Sequence, residues 1–235
     1  MFPSYAQTKA DLLNGCICLH YQPIVSLETR EILGYEALAR WGQVSAPNIA
    51  RIVESHNLHQ TWIRQQIAQI DLVLQRIYPP VWVSLNISQA MLKLPALPVL
   101  LSTSPNKLGL QIEVLESVRL TPEAAAMLRQ LKSHHILKAD DVGSTDYSWM
   151  SRIIGQHADL FHELKLCKGL TRDVLRDKRT AIACRHIITL AVELGLSVVA
   201  EWVESDRQAD LLRSWGCHAG QGRLFGMAKP PEDIP

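Results

Sequence analysis

The chain lacks an excess of charge of either sign. Its 235 residues carry 24 Lys plus Arg against 23 Asp plus Glu. DNA and RNA are therefore not expected partners, and a small or doubly anionic ligand held by local charges fits better. Long apolar runs are missing too. There is no secretory hydrophobic segment and no stretch as long as a membrane span, so no membrane association is expected. A reducing cytoplasm is the simplest setting. The five cysteines (Cys16, Cys18, Cys167, Cys184 and Cys217) are odd in number and lack metal-type pairing. Cys16 and Cys18 lie two apart on an expected strand, share a face and read as core filling. The nine histidines form no metal pattern. His134 and His135 follow an expected helix and read as exposed cap residues. No linker, low-complexity tract or short-period repeat divides the chain. No sensor, receiver or cyclase segment is recognisable, so residues 1–235 read as one domain, stand-alone or excised.

What is present is an alternation. Hydrophobic residues make up 47% of the chain, enough for a sizeable core. A short amphipathic helix is expected over 4–13, then strands over 17–25 and 31–41 around a turn. From 47 to 77 the pattern is helical, and Trp62, Ile63, Ile67, Ile70, Val73, Leu74 and Ile77 recur at three- and four-residue steps. Strands follow at 81–85, 110–114, 136–140, 160–166, 197–201 and 219–221. Helices are expected from Thr121-Pro122-Glu123, over 171–194 and over 206–215. Such alternation implies parallel βα units. A doubly wound sheet is one solution. A closed barrel fits better, because acids leave strand ends all along the chain and not at one switch point.

Those strand ends carry the chemistry. Glu36, Glu113, Asp140 with Asp141, and Glu201 each follow a β-like run, and Asn86 ends Val81-Trp82-Val83-Ser84-Leu85 in the same way. Glu36 alone would read as a solvated loop acid, Asn86 as a turn former, and Asp140-Asp141 ahead of Gly143 as turn chemistry. Lys165 lies inside an apolar strand, where an unpaired ammonium is costly. It must reach water or meet the acids, and the acids are the expected partner. Together, strands that stop at hard oxygen donors describe a rim able to gather a divalent cation.

Read in order, the chain offers Tyr21-Gln22-Pro23-Ile24-Val25, Glu36-Ala37-Leu38-Ala39-Arg40, Ser84-Leu85-Asn86-Ile87-Ser88 and Ile112-Glu113-Val114-Leu115-Glu116-Ser117. Then come Asp140-Asp141-Val142-Gly143, Leu164-Lys165-Leu166, Val199-Ala200-Glu201-Trp202-Val203-Glu204 and Gln221-Gly222-Arg223-Leu224-Phe225. This ordered series resembles the EAL domain family of cyclic di-GMP-specific phosphodiesterases, from about residue 19 to 230. The resemblance implies a modified TIM (β/α)8 barrel whose first strand runs antiparallel. It implies hydrolysis of one phosphodiester bond of cyclic di-GMP to linear pGpG, with two Mg²⁺ or Mn²⁺ ions per site, and a homodimer. It also implies metal ligation by Glu36, Asn86, Glu113 and Asp140, with Asp140 bridging to a second ion near Asp141 and Glu201. Catalytic positions would be Glu36, Lys165, Glu201 and Gln221. Arg40, Gln22 and Arg223 would contact substrate, and Glu116 and Glu204 would support the loops. The chemistry is consistent. A phosphodiester is a poor electrophile, and hard cations activate water and neutralise the departing oxygen.

Five departures bear on activity. The family loop Asp-Asp-Phe-Gly-Thr-Gly-Tyr-Ser is here Asp140-Asp141-Val142-Gly143-Ser144-Thr145-Asp146-Tyr147-Ser148. Cys167 stands where the family places an acid, and a thiol is a poor ligand for a hard cation. Leu115 replaces a Thr. Trp202 replaces a Gly; an indole there fills space beside a guanine site or packs, and packing is expected. Arg223 replaces a Tyr, as an added phosphate contact or a rim charge. The retained ligand set favours the phosphodiesterase. The altered positions keep two other readings in view: a degenerate, non-catalytic cyclic di-GMP receptor acting through a protein partner, and an interaction module indifferent to the nucleotide.

Overall fold

Period-two patterning builds the barrel. In β3 (Trp82–Ile87), β4 (Leu110–Val114) and β6 (Glu163–Leu166), alternate residues such as Val83, Leu85, Ile112, Leu164 and Leu166 are fully buried in the main apolar core. Their neighbours Ser84, Asn86, Glu113, Glu163 and Lys165 are polar and point the other way, into the barrel. The computed structural model describes residues 3–77, 80–106, 109–143, 153 and 155–234. The departing loop residues 144–148 lie outside them.

Eight strands close in sequence order. β1 (Cys18–Ser26) runs antiparallel to both β2 (Ile32–Arg40) and β8 (Ala219–Gly220). The remaining neighbours are parallel, through β5 (Leu137–Val142) and β7 (Ser197–Ala200). A closed barrel with one reversed strand is therefore the architecture, and the doubly wound alternative falls. Among the described residues, no helix is long and apolar enough to cross a membrane.

The helices match the sequence reading in part. Tyr5–Leu13 and Asp206–Trp215 form as expected. Thr121 caps Pro122–Lys132 by accepting the Ala124 amide at 3.3 Å. The helical stretch over 47–77 forms as two helices, Ala46–Ser55 and His59–Leu74, separated where Asn57 takes a left-handed φ of 56°. Asparagine enters that region readily. The 171–194 helix is also cut. Lys168–Thr171 is a short helix, and Asp177 caps a new one, Lys178–Glu193, through the amides of Arg179 and Thr180. The 160–166 strand begins only at Glu163, after a 3-10 turn at Ala158–Leu160. Two short helices, Gln89–Leu92 and Leu97–Leu101, were not anticipated. Cys16 and Cys18 do not fill the core: Cys16 precedes β1 and is exposed, and Cys18 is half-buried. His135 is buried, with Nδ1 3.2 Å from the Leu110 carbonyl, so only His134 of that pair is exposed.

Candidate metal centre

Lys165 is the hub. Its ammonium, with no exposed surface, lies 3.1 Å from Glu36 Oε2, 2.9 Å from Glu113 Oε2, 2.8 Å from Asp140 Oδ1 and 3.1 Å from Glu201 Oε1. Four carboxylates from β2, β4, β5 and the end of β7 thus meet one cation at the carboxyl ends of the parallel strands. Neighbouring amides complete the cluster. Asn86 Nδ2 donates to Glu36 Oε1 at 2.9 Å, and Gln221 Nε2 donates to Glu36 Oε2 at 2.8 Å and to Gln22 Oε1 at 3.2 Å. Ser84 Oγ donates to Glu113 Oε1 at 2.6 Å.

A break in the ladder presents the two aspartates. The β5–β6 register slips between Ala139 and Val142, and Asp141 takes a φ of 54°. Asp140 is left in the buried cluster while Asp141 emerges at the cavity. Two loops are then tied together above β7 and β8. The Val203 amide donates to the Gln221 carbonyl at 3.1 Å, and a Cβ on Gly222 would fall 2.3 Å from the Val203 carbonyl oxygen. Only glycine permits that approach.

The electrostatics are those of an overcrowded anionic site. Burial, then the nearby Glu36 charge, pushes Glu113 up to about 8 against the pull of Lys165. Burial, with the Asp140 and Glu36 charges, likewise pushes Glu201 up to about 8 against Lys165. Asp141 rises to about 6, through burial and then the charge of Asp140. Glu36 goes the other way: burial would raise it, but Lys165 and the amides of Asn86 and Gln221 outweigh that. Protons therefore compete for a cluster that carries more negative charge than Lys165 can balance.

The donor atoms suit a hard cation. Glu36, Glu113 and Asp140 offer carboxylate oxygens within 4.8 Å of one another. Among the described residues, the side-chain carbonyl oxygens of Asn86 and Gln221 are buried without a hydrogen-bond partner. Leaving such an atom unpaired costs about 1–3 kcal/mol, which a ligated cation would recover.

A cavity of about 400 Å³ opens over the cluster, bordered by Gln22, Glu36, Asp140, Asp141, Glu201 and Gln221, with Glu204 and Arg223 at its rim. Arg40 does not border it. It ends β2 on the same face as Glu36, and its guanidinium donates to the Ala39 carbonyl at 3.0 Å. Glu116 follows β4, near enough for its charge to raise Asp141. Cys167 is buried beneath Gly143, close to Leu170 and Gly169. Its thiol is raised by burial, and the charges of Asp141 and Glu201 add to this. Trp202 is not packed in the core as expected but is 43% exposed at the cavity.

A second ionic layer escaped the sequence reading. Two residues earlier on the same strands, Lys138 Nζ lies 2.9 Å from Glu163 Oε1 and 3.3 Å from the Trp82 ring centroid. His218 Nε2 approaches Glu163 Oε2 at 3.4 Å. Gly34 makes room for Trp82, since a Cβ there would lie 2.2 Å from the ring. Like Lys165, Lys138 is a lysine at an inward position of an apolar strand, and that is the sequence signal that marks it.

Comparison with known proteins places this arrangement. The EAL domain model matches residues 6–230. The chain is 31% identical over 238 residues to the probable cyclic di-GMP phosphodiesterase PdeB of Escherichia coli, covering 94% of this chain and 44% of that protein. It is 26% identical to the cyclic di-GMP phosphodiesterase RocR of Pseudomonas aeruginosa, covering 98% and 62%. The fold superposes on the PaMucR phosphodiesterase in complex with c-di-GMP with a TM-score of 0.80 at 24% identity, covering 97% of this chain and all of that one. The chain spans less than half the length of the curated relatives it matches first. With the family model covering nearly all of it and the reversed-strand barrel in place, this chain belongs to the EAL domain family.

Proposed function

We propose that this chain is a metal-dependent phosphodiesterase that hydrolyses cyclic di-GMP to linear pGpG. The observation that carries the reading is the cluster itself: three buried carboxylates and the half-buried Glu201 around one lysine, with two unpaired amide oxygens beside them. A purely structural ion pair has no use for that excess of negative charge. In this reading Glu36, Asn86, Glu113 and Asp140 hold one Mg²⁺ or Mn²⁺, and Asp140, Asp141 and Glu201 face a second. Bound cations would supply charge neutralisation of the phosphodiester and acidification of a water.

The chain's own groups do the rest. Lys165 is held fully charged by the surrounding carboxylates despite its burial, and its ammonium orients water or a phosphoryl oxygen. Gln221 aims its amide at the same place while fixing the Glu36 carboxylate. Glu201 can accept a proton, with a carboxyl already pushed up to about 8 by burial and neighbouring anions. Arg223 and Gln22 contact the ligand at the rim. Arg40 lies further out and would meet only a ligand that extends beyond the cavity. Glu116 supports the loop around Asp141, and Glu204 the loop between β7 and the Asp206–Trp215 helix, its backbone amide donating to Gln208 Oε1 at 2.9 Å. We read the chain as one barrel unit working in the cytoplasm, as a homodimer that light scattering would reveal.

The test is chromatographic: cyclic di-GMP incubated with the protein and Mg²⁺ or Mn²⁺ should yield pGpG. Cys167 favours the second reading, a receptor that binds cyclic di-GMP and signals through a partner, because a buried thiol occupies the family's acid position. Binding without turnover in either metal would select it.

A further inference from the structure

Trp202 holds a backbone conformation that its side chain disfavours. Its φ is 55°, a region a bulky residue enters only under constraint. The constraint is visible on both sides. Gln208, itself buried, donates from Nε2 to the Trp202 carbonyl and to the Thr171 carbonyl, each at 2.9 Å, and its Oε1 accepts the Glu204 amide. The Val203 amide is bound to the Gln221 carbonyl.

The fold gains little from the indole that this clamp presents. Trp202 lies outside the apolar core and borders the cavity directly beside Glu201. The Lys168 ammonium stands 3.7 Å from its ring centroid, and Lys168 is not among the residues bordering the cavity. Strain concentrated at a cavity rim, at a side chain that adds nothing to the apolar core, marks a ligand contact. A large flat surface with a cation to one side offers its cavity side to an electron-rich planar group.

We propose that Trp202 is a stacking platform for a purine base of the ligand, and so a specificity-determining residue of the site. This rests on the functional reading above and deepens it, by stating how the base of a guanine dinucleotide is held while its phosphates face the acidic cluster. Sequence-tolerant stacking of this kind contributes about tenfold in affinity per base.

The experiment titrates cyclic di-GMP, with Ca²⁺ present, into the wild-type chain, Trp202→Phe and Trp202→Gly, by calorimetry and indole fluorescence, with a melting curve for each variant. Wild type should bind with quenching. Trp202→Phe should bind within about threefold of wild type but lose part of the quench, and Trp202→Gly should bind about tenfold or more weakly. The glycine variant should melt at the same temperature or higher, because glycine adopts this φ freely. Equal affinity in Trp202→Gly, or a loss in Trp202→Phe as large as in Trp202→Gly, overturns the stacking. A wild-type chain that binds no cyclic di-GMP removes the functional reading itself, and the stacking with it.

Discussion

Two lysines with no exposed surface lie in the same barrel, on adjacent strands, and they have opposite environments. Lys138 meets one carboxylate, Glu163, and the face of Trp82. Lys165 meets four carboxylates beneath an open cavity. The lower pair is balanced and capped by an aromatic ring. The upper cluster is left with three negative charges in excess if every group ionises. A barrel can tolerate a buried ion pair as filling, but a surplus of like charge in its interior has to be explained by what it binds.

The sharpest way to break this comparison is to neutralise one carboxylate in each layer. Glu36→Gln should lower cyclic di-GMP turnover by about 10²-fold or more, by the magnitude expected when one pre-organised charge contact is lost. The double variant Lys138→Met/Glu163→Leu should keep turnover within a few-fold, read by the same chromatographic assay. Equal losses would place both layers in the chemistry.

Stability should show the reverse. Lys138→Met alone strands the Glu163 carboxylate in the barrel and should cost about 3–5 kcal/mol in urea denaturation, and the apolar double variant should recover most of that. A single variant as stable as wild type would mean that water or His218 serves Glu163 instead.

The pH dependence separates the layers again. Glu113 and Glu201 have folded pKa values raised to about 8. Groups of this sign favour the folded chain fully below the ordinary carboxylate value, and the benefit is lost as pH rises toward 8. In EDTA, the melting temperature should therefore fall between about pH 4.5 and 8. The upward shift on adding Mg²⁺ should grow over the same window, as cations displace protons. Glu163 is opposite in sign: burial would raise it, but Lys138 and His218 hold it down to about 2. Its contribution is present above the unfolded carboxylate value and is lost only as pH falls through about 2. A flat melting temperature in EDTA from pH 5 to 8 would contradict the assigned crowding.

Much of the upper layer was legible because it rests on local rules. An acid after an apolar run names a strand end, and a lysine inside one must find partners. Glu36, Asn86, Glu113, Asp140, Lys165 and Glu201 do converge, and Gln221, which only the family resemblance had named, joins them. What was missed depends on depth and register. Lys138 and Glu163 obey the same alternation, but only the parallel register sets one beside the other. Arg40 shares Glu36's face, yet four residues of strand rise carry it beyond the cavity. The break at Asn57 falls where the apolar steps lapse, since Val53 is followed by four polar residues before Leu58, but that lapse is short against the helical pattern on either side.

The smallest expected effect sharpens the role of Cys167. Cys167→Asp adds a carboxylate near Asp141 and Glu201, so it should lower the melting temperature in EDTA. Mg²⁺ should close most of that gap, and turnover should rise by a few-fold. A gap indifferent to Mg²⁺ would assign Cys167 to packing under Gly143.

The central claim is that the surplus charge around Lys165 exists to take up divalent cations. Crystals grown with Mn²⁺ test it most directly, through the anomalous signal. The account predicts manganese bonded to Glu36, Asn86, Glu113 and Asp140, with the Asn86 carbonyl oxygen no longer unpaired. No manganese peak at these four side chains at saturating Mn²⁺, with the carboxylates still gathered on Lys165, would contradict it.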